Sequence, residues 1–138
     1  MRDQRDPVSD DEYVLRRILS DYYDPSLRDP VHSQGFYPTK NDTNGISVFR
    51  DLFVTPDLVA NSGKNPKGYY VARLRVSEIR ALGLTVIPDP KDDQLPGHAL
   101  IPKLCIIEYA KNKNDIKFLM HKLATLAGNE IVFEPDIQ

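Results

Sequence analysis

Residues 69–76 read YYVARLRV. Side chains on an extended chain alternate between two faces, so Tyr70, Ala72, Leu74 and Val76 fall on one side and Tyr69, Val71, Arg73 and Arg75 on the other. No other segment alternates as cleanly. Such a strand is apolar on one face and basic and aromatic on the other. It needs neighbouring strands to pair with and a layer to cover its apolar side. NKNDIKFLMHKLATLAG supplies a candidate for that layer. Ile116, Leu119, Met120, Leu123, Ala124 and Ala127 form one stripe at helical spacing, Asn112 or Asn114 can cap its start, and Gly128 can end it. The spacing predicts a helix over about 114–127.

Around these two segments the chain alternates between regular and irregular stretches. SDDEYVLRRILSDYY has Ser9 and Glu12 at capping-box spacing, with Val14, Leu15, Ile18, Leu19 and Tyr22 at helical intervals. That pattern predicts a helix over about 10–22, and the adjacent Arg16 and Arg17 spoil the alternation a strand would show. Residues 24–44 hold three prolines and no sustained period, the mark of a long loop that is either functional or mobile. GISVFR predicts a strand over about 45–50, and TPDLVA a short helical turn with Pro56 at its first position. SEIRALG reads as a short helix capped by Ser77 and ended by Gly83, LTVI as a short strand, HALIPKLCIIEY as a strand pair or one bent strand, and EIVFEP as a last strand. The expected fold is α+β: a small mixed or antiparallel sheet, the 114–127 helix packed on a face, and the N-terminal helix at about 10–22. Residues 1–8 are expected to be a flexible leader to a single domain spanning 9–138.

At 138 residues such a domain can bury roughly two-thirds of its unfolded surface and needs no disulfide or metal to fold. Cys105 is the only cysteine. Eighteen basic against twenty acidic residues argue against a protein built mainly to grip a phosphate backbone, so nucleic acid is a poor candidate partner. The charged start, MRDQRDPVSDDE, lacks the apolar stretch of a secretory leader, and no run nears the roughly 18 apolar residues that span a bilayer. A cytoplasmic protein with no membrane association is expected.

Chemistry-bearing motifs are sparse. The sequence holds no GxxxxGK[ST], GxGxxG, CxxC, HExxH or GxSxG, and His32, His98 and His121 lack zinc-ligand spacing. No metal and no cofactor is expected. Three places remain. His98 follows Pro96-Gly97 at the start of a strand, where an imidazole with an ordinary pKa of about 6.5 could transfer protons; the simpler account has it donate a ring N–H to the loop before it. Arg50 keeps the parity of Ile46 and Val48, which aims a guanidinium at the core, and such a group needs an acceptor. Asp42 and Asp51 lie close in sequence, and an internal ion pair is the simpler account. Arg73 and Arg75 with Tyr69 could hold a single strand of nucleic acid, but two arginines on one strand of a net-acidic chain are better explained as a solvated outer sheet face. Arg16 and Arg17 read as solvated, or as partners of Asp21 and the leading acids.

The leading expectation is a non-enzymatic module or accessory subunit that binds another protein through the 24–44 loop, with Phe36, Tyr37, Tyr69, Arg73 and Arg75 on the contact surface. The alternative is a small enzyme acting on a nucleotide or nucleic acid, with His98 as general acid or base, Arg50 holding an anionic group and Asp42 orienting one of them.

Overall fold

The computed structural model describes residues 2–136. Six strands form one antiparallel sheet: β1 (Tyr13–Leu19), β2 (Ile46–Arg50), β3 (Tyr69–Arg75), β4 (Ile87–Pro88), β5 (His98–Ile101) and β6 (Ile131–Phe133), in the order β4-β5-β2-β1-β3-β6. Four helices accompany them: α1 (Pro56–Asn61), α2 (Val76–Ala81), α3 (Ile106–Lys111) and α4 (Lys113–Ala127). The class is α+β, as the pattern of segments implied.

The predicted N-terminal helix over 10–22 is instead the central strand β1. Val14, Leu15 and Ile18 are all fully buried, Val14 and Ile18 in the cluster on one face of the sheet and Leu15 in the cluster on the other. A strand buried on both faces needs no alternation, and its apolar residues at 14, 15 and 18 also satisfy a helical period. The capping-box residues make their expected contacts, but within a turn. The Ser9 N–H donates to Glu12 Oε2 at 2.8 Å and the Glu12 N–H to the Ser9 carbonyl at 3.1 Å, after which the chain extends. β-Branched and aromatic residues in YVLRRIL favour the extended form once β2 and β3 are there to pair with it.

HALIPKLCIIEY is likewise neither a strand pair nor a bent strand. β5 ends at Ile101, Pro102 breaks the ladder, and the chain turns into α3, with Cys105 at its N-cap. Of the strand read from LTVI only Ile87 enters the sheet, in the two-residue β4 that it shares with Pro88, while Leu84 and Val86 are buried in loop conformation. Helix α2 begins at Val76, with Arg75 rather than Ser77 at its N-cap.

The two faces carry different cores. Ile116, Met120, Leu123, Ala124 and Ala127 of α4 join Val14, Ile18, Ile46, Val48, Ala72 and Leu74 in the larger cluster, to which Phe36 and Ile79 also contribute. The cover on this side is therefore shared among α4, α2 and the 3-10 turn Ser33–Phe36, not supplied by one helix. On the other face α1 places Val59 and Ala60 over Leu15, Phe49 and Val71 in a smaller cluster. Burying these side chains is the main favourable term in folding. The smaller cover leaves part of the second face open.

Candidate functional site

Arg50 and His98 lie on opposite faces of the sheet. Arg50 pairs with Val14 and shares the face of Ile46 and Val48, whereas His98 sits opposite Phe49 on the other face. Arg50 is 0% exposed, and its acceptors are neither Asp42 nor Asp51. Nε donates to Glu12 Oε1 at 2.8 Å and Nη2 to Glu12 Oε2 at 2.9 Å. Nη2 also donates to the Pro7 carbonyl, and Nη1 to the carbonyls of Gln4 and Asp6. All five N–H groups of this guanidinium are therefore satisfied. Burial alone would raise the Glu12 carboxyl. Hydrogen bonds from Arg50 and the Ser9 N–H, and the Arg50 charge, outweigh burial and hold it below the ordinary carboxylate value. These bonds also fasten residues 4–7 to the end of β2, where Gln4 Oε1 accepts from the Gly97 N–H at 2.9 Å. Asp51 turns instead towards Arg73, at 3.4 Å.

Asp42 closes its own turn, accepting from the Thr39 N–H at 2.8 Å and from Thr39 Oγ1. It does share a pocket of about 250 Å³ with His98, so the structure brings two of the three residues of the enzymatic expectation to one place and leaves Arg50 elsewhere. His98 is 3% exposed, with Nδ1 2.8 Å from the Asp89 carbonyl and Nε2 2.8 Å from Ser47 Oγ. The expected bond to the preceding loop is thus one of two.

Of the residues read as a contact surface, Phe36 is 0% exposed and belongs to the core. Arg73 pairs with Glu130 and Asp51 and lies 4.1 Å above the Tyr13 ring, and Arg75 extends over the same ring at 5.8 Å. Tyr37, packed edge-on against Tyr109 at 5.0 Å, and Tyr69 line a groove.

That groove begins where the sheet splits. β1 and β2 pair only at Val14↔Arg50 and Leu15↔Phe49. Beyond them β1 continues along β3 to Leu19, while β2 runs back along β5 to Ile46. Arg16 fills the gap. Its Nη1 donates to the Ser47 carbonyl at 2.8 Å, and Nε and Nη2 donate to the Gly35 carbonyl at 3.1 and 2.9 Å. Arg17 points to the opposite face. Nη1 donates to Ser62 Oγ and to the Val59 carbonyl, at the C-terminal end of α1, where a positive charge is favoured. Its guanidinium lies 5.5 Å from the Phe49 ring and 5.8 Å from the Tyr69 ring.

Neither arginine meets a carboxylate at ion-pair distance among the described residues; Asp21, a partner expected for them, holds Lys67 at 3.0 Å. Burial pushes the Arg16 guanidinium down to about 10, with the Asp42 charge opposing the shift and the Arg17 charge adding to it. Burial also lowers Arg17. Both stay charged at neutral pH. They line adjoining open depressions of about 360 and 910 Å³ that share Arg17, Thr39 and Tyr69. Tyr22, Gln34 and Tyr37 complete the first, and Ser62, Lys64, Asp92 and Asp93 border the second.

Sequence reasoning missed Glu12 as the partner of Arg50, Ser47 and Asp89 as neighbours of His98, and the two arginines at the split. All are contacts between strands or loops whose register one sequence does not print. The adjacent arginines within an apolar run were the visible signal.

Among the described residues no three His, Cys, Asp or Glu side chains stand together as a metal site, and no helix is long and apolar enough to cross a membrane. No protein-family model matches the chain, and no curated protein or solved structure is significantly similar to it.

Proposed function

We propose that this chain is a protein-binding module whose groove at the β1–β2 split takes an acidic segment of a partner. The observation that carries this reading is the pair Arg16 and Arg17. Two neighbouring, partly desolvated guanidiniums have no carboxylate at ion-pair distance, and their N–H groups are incompletely used among the described residues. A desolvated charge without a counter-ion is costly, and a carboxylate from outside would relieve that cost through charge-assisted bonds. Tyr37 and Tyr69 flank the arginines and offer rigid aromatic surface, the kind enriched at the centre of interfaces. Gln34, Tyr37, Thr39 and Asn41 bring the proline-rich 24–44 loop to the rim of the groove. Asp92 and Asp93, which border the larger depression, would repel acidic residues there, and this would orient the segment with its charges towards the split.

The test is fluorescence anisotropy with labelled Glu/Tyr-containing peptides and their Gln-substituted counterparts. The acidic peptides should bind more tightly, lose affinity as salt rises, and bind the Arg17→Gln variant about tenfold more weakly, the equivalent of about 1.4 kcal/mol. Equal affinity for acidic and neutral peptides would end the proposal.

A further inference from the structure

The pocket of about 250 Å³ next to the groove holds a second arrangement, independent of the arginines. Ser47 in β2 and His98 in β5 face the same side of the sheet, because Phe49 pairs with His98 and Ser47 with Leu100. Their side chains meet, with Ser47 Oγ 2.8 Å from His98 Nε2. On the other side of the ring, Nδ1 lies 2.8 Å from the Asp89 carbonyl and 3.1 Å from Asp89 Oδ2. A carbonyl oxygen has no proton to give, so Nδ1 carries the ring hydrogen and donates it. In the neutral ring Nε2 is then bare, and the Ser47 hydroxyl donates to it. This is the tautomer and polarity a serine nucleophile needs: base on the hydroxyl side, acidic residue on the far side.

Two further features exceed what a merely structural histidine requires. Asp89 Oδ2 is buried and takes no hydrogen bond among the described residues, yet it stands beside Nδ1, where it would stabilise an imidazolium. Its nearest cation is Lys91, at 3.7 Å. Asn44 and Gly45 line the same pocket, and their backbone N–H groups make no hydrogen bond among the described residues. Donors of that kind can hold an oxygen that becomes negative.

We propose that Ser47, His98 and Asp89 form a nucleophilic centre for small acyl esters. Ser47 Oγ attacks the ester carbonyl carbon while its proton passes to Nε2. The carbonyl π pair moves to the oxygen, held by the Asn44 and Gly45 N–H groups. Collapse breaks the bond to the alcohol oxygen, which leaves with the proton from Nε2. Water then attacks the acyl-serine, gives a proton to Nε2 and releases the carboxylic acid. Ser47 Oγ recovers its hydrogen. No redox change occurs. Asp89 is the positioning residue, acting through the ring.

A fluorophosphonate reagent tests this without knowledge of the natural ester. Intact-mass and peptide analysis should find one phosphonyl adduct, on Ser47, and the protein should turn over p-nitrophenyl acetate. Ser47→Ala, with an unchanged melting curve, should abolish both. His98→Gln should slow labelling by about 10²-fold or more, and Asp89→Asn should move the pH profile of labelling, a readout that loss of packing would not shift. Should His98→Gln unfold, Ser47→Ala still decides the matter. Wild-type protein that stays unlabelled, or turnover that survives in Ser47→Ala, overturns the proposal.

Discussion

Arg50 and the Arg16–Arg17 pair are the same chemical group in two settings. At Arg50 the guanidinium lies fully inside the protein with five N–H groups, a carboxylate and three carbonyls around it. At the β1–β2 split, three carbonyls and one hydroxyl serve two guanidiniums, and no carboxylate lies at ion-pair distance from either among the described residues. The first site holds the fold together, tying the N-terminal segment, the start of β1 and the end of β2. The second leaves positive charge facing an open groove. The difference teaches where to look for function, since a satisfied charge has nothing left to offer a ligand.

The comparison breaks most visibly at Glu12. Glu12→Ala strands a buried cation, and urea unfolding should show a loss of about 3–5 kcal/mol. The same pair gives a pH signature. The Glu12 carboxyl is depressed in the folded state, so its stabilisation is complete above its ordinary value of 4.5 and is lost as pH falls through the lower folded value. Unfolding midpoints of wild type and Glu12→Gln should therefore converge in acid, and a gap that holds constant to pH 2 would contradict the assignment. A smaller effect is expected at Arg16. Arg16→Met removes the donors to the Gly35 and Ser47 carbonyls and should cost about 1–3 kcal/mol by the same measurement. Arg17→Gln should change stability by less than about 1 kcal/mol, because burial of an unpaired charge offsets its contacts, while acidic-peptide binding falls as stated above. The smallest effect belongs to the part-exposed Arg73–Glu130 pair, where Glu130→Gln should cost at most about 1 kcal/mol, and less in high salt.

Much of the architecture was legible where one face of an element meets solvent. The alternation of YYVARLRV gave β3, and the stripe from Ile116 to Ala127 gave α4 within a residue of its start. Legibility failed at β1, which is central and apolar on both sides, so that its residues fit a helical period equally well. It failed again after Pro102, where Ile106 and Ile107 suggested an extended chain although the backbone turns into α3. At the sites, parity sufficed to send Arg50 inward. The choice of Glu12 over Asp42 or Asp51 depended on which strands are neighbours, and no local pattern carries that information. The same holds for Ser47 and His98, 51 positions apart and joined by the β2–β5 register.

The central claim, that the arginines at the split are open to an anion while Arg50 is closed, can be read directly from the Nε–Hε resonances of the three side chains. Titration with an acidic peptide should move the Arg16 and Arg17 signals in a saturable way and leave Arg50 where it was. Shifts at Arg50, or silence at both Arg16 and Arg17 while the peptide binds, would contradict it.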